Sequence, residues 1–272
     1  MPEGPEVRRE ADMIARAIQG HALKDVYFGL PRLKRHRKSL VGATVTQVTT
    51  RGKALLIFFD TGAVLYSHNQ LYGRWYVTRG LRPKTNRTLR VELSAADQSA
   101  LLYSASDIQL LRDEDYEAHP YIAKLGPDVL TKDLSWRTIA DRLQLKAFAG
   151  RSASALYLDQ SFVAGLGNYL RSEILFASRI APDARPKELE TRQVNELARA
   201  TLMLSIRSYK TGGVTNDPVT VKALRKSGMT KSRYRFAVFA RDGEPCYRCG
   251  DTIRRETANG RRIYLCPSCQ HL

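Results

Sequence analysis

The chain has 272 residues, 43% of them hydrophobic, with a mean hydropathy of −0.36. That is length enough for two domains with cores of their own, and no apolar run reaches the roughly eighteen residues a membrane span requires. Lys and Arg number 44 against 27 Asp and Glu, a net charge of +17 and a pI near 9.9. A surplus that large needs an anionic partner: nucleic acid first, an anionic membrane surface second. No strongly apolar-faced basic helix supports the membrane, and the N-terminus lacks the apolar stretch of a secretory signal, so a cytoplasmic protein is expected.

The chain opens MPEGPEVRRE. Pro2 and Pro5 suit the first positions of a helix. Alternatively, once Met1 is removed, Pro2 becomes a free secondary amine with the carboxyl of Glu3 beside it. Residues 5–19 place Val7, Ala11, Ile14, Ala15 and Ile18 on one helical face. Strand-like segments follow: ALKDVYF, ATVTQVTT, ALLIFF, AVLYSH, GRWYV, TLRVEL and ALLYSA. Many short strands in succession predict an all-β sandwich or barrel to about residue 125. Within this stretch, RLKRHRK (32–38) is either a phosphate-binding face or a solvated loop.

From about residue 130 the pattern turns helical, in LSWRTIADRLQ, SASALYLDQ, NYLRSEILFAS and TRQVNELARATLMLSIRSY. Gly165 and Gly167 mark a tight turn between two of these helices. The segment from Tyr209 to Arg235 is rich in Gly, Thr, Ser, Lys and Arg, and reads as mobile and basic rather than as a packed element. The sequence predicts an α+β protein in three parts: a β-sandwich domain at 1–125, a helical domain at 130–232 and a cysteine-bearing module at 236–272.

All four cysteines lie in that last module, as Cys246-x2-Cys249 and Cys266-x2-Cys269 with sixteen residues between the pairs. Two such knuckles complete a tetrahedral thiolate site, so one structural zinc ion is expected, and no organic cofactor. Four protein ligands leave no open position for catalysis. The intervening hairpin carries Arg254, Arg255, Arg261 and Arg262, which reads as a DNA-contacting finger or, more plainly, as a solvated basic hairpin.

PEGPE, TRGKALL, YSHNQLYGRW, LDQSFVAGLGNYLRSEILF and the finger ending CPSCQH occur in that order. Together they resemble the formamidopyrimidine-DNA glycosylase/endonuclease VIII family, nearer its endonuclease VIII branch. The resemblance spans nearly the whole chain and is weakest between about residues 210 and 232. It implies a helix-two-turns-helix domain, and damaged duplex DNA bound by a monomer in a basic cleft. It also implies a bifunctional enzyme that removes an oxidised base and then nicks the strand by β,δ-elimination.

Residue by residue, the resemblance makes Pro2 the nucleophile. An α-amine with a pKa near 8 is roughly a tenth unprotonated at neutral pH, far more than an ordinary lysine. Glu3 matches the general acid/base, with Glu6 in a supporting role, and Lys53 the lysine that holds the phosphate beside the lesion. Gln70, Leu71 and Tyr72 match the wedge that fills the space left by an extruded base. Asn168, unless it is simply an N-cap, matches a phosphate contact, as does Arg261, with Arg262 its near competitor. Asp159 and Glu173 lie in matched stretches. The methionine that oxidised-purine enzymes carry in the wedge loop is absent, which points to oxidised pyrimidines. The alternatives are an oxidised-purine glycosylase of the same family and a non-catalytic zinc-ribbon protein that binds damaged DNA.

Overall fold

The computed structural model describes residues 2–271. The chain forms two compact units, Met1–Lys124 and Leu125–Leu272. The first begins with α1 (Gly4–Ile18), followed by β1 (Leu23–Phe28), short helical turns α2 (Pro31–Lys34) and α3 (Arg37–Leu40), and β2 (Val45–Arg51). Then come β3 (Ala54–Phe59), β4 (Ala63–His68), β5 (Arg74–Thr78), β6 (Leu89–Ala95), β7 (Gln98–Tyr103) and β8 (Asp107–Arg112). They make two antiparallel four-stranded sheets, ordered β1-β6-β7-β5 and β2-β3-β4-β8.

Inward-facing Val26, Phe28, Leu55, Ile57, Leu93 and Leu102 fill the space between the sheets. Helix α1 adds Val7, Ala11, Ile14 and Ile18 to the same core, with Ala17 buried in place of the half-exposed Ala15. A second apolar layer, Leu56, Val64, Tyr66 and Ile122, covers the far face of β3 and β4. With both faces covered, β3 is a continuous apolar run rather than an alternating one. Strand β8 was missing from the sequence-based expectation because DIQLLR mixes polar and apolar residues without clean alternation. The basic run 32–38 forms α2 and α3, pinned by Leu33 and Leu40 in the core.

The second unit holds α4 (Trp136–Gln144), α5 (Lys146–Ala149), α6 (Ala153–Leu156), α7 (Asn168–Ala177) and the 21-residue α8 (Thr191–Thr211). Helix α6 is shorter than SASALYLDQ suggests, because Asp159 binds the backbone and hydroxyl of Ser161 and turns the chain. The segment from Tyr209 to Arg235 is not the unstructured stretch expected from its composition. It contains α9 (Pro218–Lys226) and α10 (Lys231–Tyr234). Asp217 caps α9 by accepting the Thr220 N–H at 3.0 Å, and Pro218 occupies the first turn. The start signal was present in Asn-Asp-Pro; the Gly and Lys content obscured it.

The unit ends in a hairpin of β9 (Arg254–Ala258) and β10 (Arg261–Leu265), then α11 (Pro267–Gln270). Ile263 and Leu265 of β10 belong to the same core as α4, α7 and α8. Among the described residues, no helix is long and apolar enough to cross a membrane.

Candidate active site and metal centre

In the first unit, Pro2 and the start of α1 form one edge of a cavity of about 530 Å³. Its wall also includes Glu6, Glu10, Met13, Leu71, Tyr72 and Trp75. Glu3 is 3% exposed and is the N-cap of α1, joined to Glu6 in a capping box. The Glu6 carboxylate accepts the Glu3 N–H at 3.1 Å. The supporting role expected of Glu6 is therefore structural: it satisfies a helix N-terminal donor and fixes the backbone that carries Glu3. Met1, whose removal any chemistry at Pro2 requires, lies outside the described residues.

Lys53 follows Gly52 in the two-residue turn between β2 and β3, with Arg51 paired to Ala54. Gly52 has φ 61°, which a tight hairpin demands of its first turn residue. Lys53 is 8% exposed, and its N–H donates to the Tyr121 hydroxyl at 3.0 Å. Burial holds the neighbouring His68 imidazole below its ordinary pKa, with the Lys53 charge acting in the same direction and Asp107 opposing. Its unprotonated Nδ1 accepts the Gln70 N–H at 3.0 Å.

The stretch Gln70-Leu71-Tyr72 is the turn between β4 and β5. Leu71 and Tyr72 are 56% and 66% exposed, large apolar groups presented to solvent on a turn with little slack. The Gly73 N–H donates to the Asn69 carbonyl at 2.7 Å, and a Cβ at Gly73 would meet that oxygen at 2.6 Å. Arg87 donates to the Tyr72 carbonyl. Gln70 has a left-handed backbone, φ 51°, and its Oε1 accepts from the Ser106 hydroxyl at 2.7 Å.

In the second unit, Gly167 rather than Asn168 is the N-cap of α7. The capping alternative for Asn168 therefore falls away: it is the first helical residue, and its amide is used elsewhere. Asn168 Nδ2 donates to the Arg262 carbonyl at 2.8 Å. The Arg171 guanidinium, fully buried, donates to Asn168 Oδ1 at 2.7 Å and to the same carbonyl at 2.9 Å. Thus the α7 N-terminus and the hairpin are fastened together through Arg262's backbone. Strand alternation puts Arg261 on the face of Ile263 and Leu265, and Arg262 on the face of Tyr264. Both arginine side chains are exposed.

Glu173 borders a second cavity of about 530 Å³ in this unit, but its carboxylate is committed to structural bonds. Its two oxygens accept from the Ala237, Val238 and Phe239 N–H groups at 2.8, 2.8 and 2.9 Å and from the Thr215 hydroxyl at 2.7 Å. It staples α7 to the chain entering the cysteine module. Asp159 pairs with Arg151 at 2.5 Å and shapes the turn after α6.

The sulfur atoms of Cys246, Cys249, Cys266 and Cys269 lie within 4.8 Å of one another. The Cys246–Cys269 and Cys249–Cys266 separations are 3.9 and 3.4 Å. A tetrahedron with Zn–S bonds of about 2.3 Å has edges of about 3.8 Å, so the donor set fits one zinc ion. The Gly250 turn, φ 81°, shapes the first knuckle, and the Cys246 N–H donates to the Asp251 carbonyl at 2.8 Å.

Three family models match the chain in order: the formamidopyrimidine-DNA glycosylase N-terminal domain at residues 1–106, the H2TH domain of that enzyme at 125–216, and the zinc finger found in it and in IleRS at 243–272. Endonuclease 8 of Shigella sonnei and of Escherichia coli are each 47% identical over 272 residues, covering all of both chains. The chain belongs to the formamidopyrimidine-DNA glycosylase family.

Solved structures of the Lactococcus lactis family member agree in fold. One, non-covalently bound to DNA containing an abasic site, has a TM-score of 0.81 at 23% identity, covering 99% of this chain and all of that one. Another, in complex with DNA containing an oxidised pyrimidine, has a TM-score of 0.81 at 22% identity and covers all of both chains. Within this family framework, Glu10, Asn69, His68, Tyr121 and Arg171 went unnoticed in the sequence. Glu10 follows Glu6 by one helical turn and Arg171 follows Asn168 by three residues, spacings that place each pair on one helical face. Nothing in the sequence said that the partner of Glu10 would be a loop residue 59 positions away.

Proposed function

We propose that this base-excision-repair DNA glycosylase and abasic-site lyase acts through Pro2 on oxidised pyrimidines in duplex DNA, as a cytoplasmic monomer. The observation that carries the reading is the Pro2 cavity, with Glu3 buried beside Pro2 and the exposed Leu71–Tyr72 turn on the same wall.

The amine of Pro2, freed of Met1, attacks C1′ of the damaged nucleotide. The N–C1′ bond forms as the glycosidic bond breaks, and the base departs with the proton that the Pro2 nitrogen gives up. Glu3 delivers a proton to O4′ as the C1′–O4′ bond opens, leaving an iminium on Pro2 that is charged without needing a proton. That iminium draws electrons from C2′. Loss of a C2′ proton expels the 3′ phosphate, and a second elimination expels the 5′ phosphate. Lys53 supplies a positive charge for the phosphate flanking the lesion.

Leu71 and Tyr72 fill the stack left by the extruded base. Gln70 faces the orphaned partner base once it exchanges its bond with Ser106. On the other unit, Asn168 and Arg261 contact the DNA backbone, while Arg262 contributes its carbonyl to the fastening at α7. A single zinc ion on the four cysteines holds the hairpin in shape and takes no part in the chemistry.

Borohydride reduction of the protein on an abasic-site oligonucleotide, combined with intact-mass analysis, tests the reading. The expected result is a protein starting at Pro2 that forms a stable cross-link through its N-terminus. A processed protein that never cross-links sinks it. Single-turnover comparison of thymine glycol and 8-oxoguanine duplexes tests the substrate class, and a large preference for the purine reverses it.

A further inference from the structure

Glu10 takes no part in the chemistry above, yet its carboxyl lies in the wall of the Pro2 cavity, half-buried and one helical turn beyond Glu6. Two donors from the turn that carries Leu71 and Tyr72 converge on it. Asn69 Nδ2 donates at 2.6 Å, and the Trp75 backbone N–H donates to the same carboxyl. Asn69 is 3% exposed and its Oδ1 has no hydrogen-bond partner among the described residues, so Glu10 is the anchor of that side chain. Trp75 belongs to β5, the outer strand of its sheet, where an outward N–H must find a partner beyond the ladder. Asn69 and Trp75 bracket Gln70-Leu71-Tyr72-Gly73-Arg74.

We infer that Glu10 is the positioning residue of the wedge: its carboxyl ties both ends of the 69–75 turn to the helix that bears Glu3, fixing where Leu71 and Tyr72 stand. The inference rests on reading Gln70-Leu71-Tyr72 as the wedge. The groups facing the carboxyl are Glu6 on α1, which disfavours its ionisation, and Arg74 on β5, which favours it; Arg9, Tyr72, Tyr76, Arg87 and the Pro2 nitrogen complete the charged and titratable surroundings. Burial outweighs the favourable contacts and pushes Glu10 up to about 7. The Asn69 contact survives in both forms, since a carboxylic acid still accepts through its carbonyl oxygen, and the ionised form makes the stronger bond.

Amide hydrogen exchange of the free full-length protein tests the clamp without reference to activity. Glu10→Ala should raise exchange at Gln70–Trp75 by about tenfold or more, with α1 and β4 changing less than about threefold. Glu10→Gln keeps an acceptor oxygen and should stay within about threefold of the parent protein. On DNA, Glu10→Ala should slow single-turnover release of an oxidised pyrimidine about tenfold, yet leave nicking of a preformed abasic site within about twofold, because only the first substrate has a base to unstack.

Unchanged exchange in Glu10→Ala overturns the inference. So does raised exchange with both reactions slowed equally, which would put Glu10 in the chemistry instead of behind the wedge. If the parent protein fails to cross-link under borohydride, the Pro2 reading falls, and the exchange result still decides Glu10.

Discussion

The two units each turn a helical glutamate inward, Glu173 fully and Glu10 by half, and treat it in opposite ways. Glu173 in the C-terminal unit has four donors, three of them backbone N–H groups, closing on both its oxygens. Glu10 in the N-terminal unit has one side-chain amide and one backbone N–H, and sits poised to titrate at about 7. A carboxylate surrounded by fixed donors is a staple. One with few donors has its charge less fully compensated. The C-terminal unit extends the staple pattern to Arg171, fully buried with acceptors from Ser154, Asn168 and Arg262.

The largest effect that would break the comparison is at Glu173. Substitution by Gln turns one acceptor oxygen into an NH2 group that faces two donors, or forces a rearrangement of 237–239. Each buried donor left unsatisfied costs about 1–3 kcal/mol, so Glu173→Gln should lower stability by roughly 3–5 kcal/mol, read as a shift in the urea midpoint. A drop below about 1 kcal/mol would show that the segment entering the cysteine module has other support.

Glu10→Gln should have the reverse sign above neutrality. Burial raises the Glu10 carboxyl from its ordinary 4.5 to about 7 in the folded protein. Between those values the folded state holds a proton that the unfolded state has released, so this group's contribution is complete below 4.5 and is lost as pH rises through 7. A rise of that size is worth at most about 3 kcal/mol. The variant, having nothing to ionise, should gain on the parent protein by up to about that amount between pH 4.5 and 8 in parallel urea titrations. His68 opposes it: a depressed imidazole contributes stability above its ordinary pKa of 6.5 that is lost as pH falls. A flat difference between Glu10→Gln and the parent protein across that range would show the carboxyl to be solvated.

Most of the fold was readable because periodicity carries it. The alternation of β6 and the 3.6-residue spacing of α1, α4 and α8 depend on which face is buried. Strand β8 escaped because DIQLLR lacks clean alternation and helix α9 because the Gly and Lys around it mask its start, while their formation depends on context, a fourth place in a sheet for one and the Asp217 cap for the other. The four-cysteine set was readable from its spacing, and the stretches that carry Pro2-Glu3, Lys53 and the 70–72 turn stood out by their order along the chain. The groups that hold those residues did not. Asn69 to Glu10 and Asn168 to the Arg262 carbonyl are bonds across long stretches of sequence, which only the folded chain brings together.

The smallest expected effect sharpens the comparison on the C-terminal side, where Arg261 and Arg262 are adjacent and alike in sequence. Arg262 is already used through its backbone carbonyl, which the Asn168 amide and the Arg171 guanidinium hold in place. That bond survives any change of side chain. Arg261, on the face of Ile263 and Leu265, contributes its guanidinium alone. Arg261→Ala should therefore weaken binding to a duplex carrying a tetrahydrofuran abasic-site analogue by about tenfold at moderate salt. It should also reduce the slope of log K against log salt by about 0.9, because one phosphate is no longer neutralised by the protein. Arg262→Ala should stay within about twofold with an unchanged slope. The reverse ranking would mean that the finger reads DNA from the Tyr264 face of the hairpin, and that the fastening at α7 serves to aim Arg262 instead.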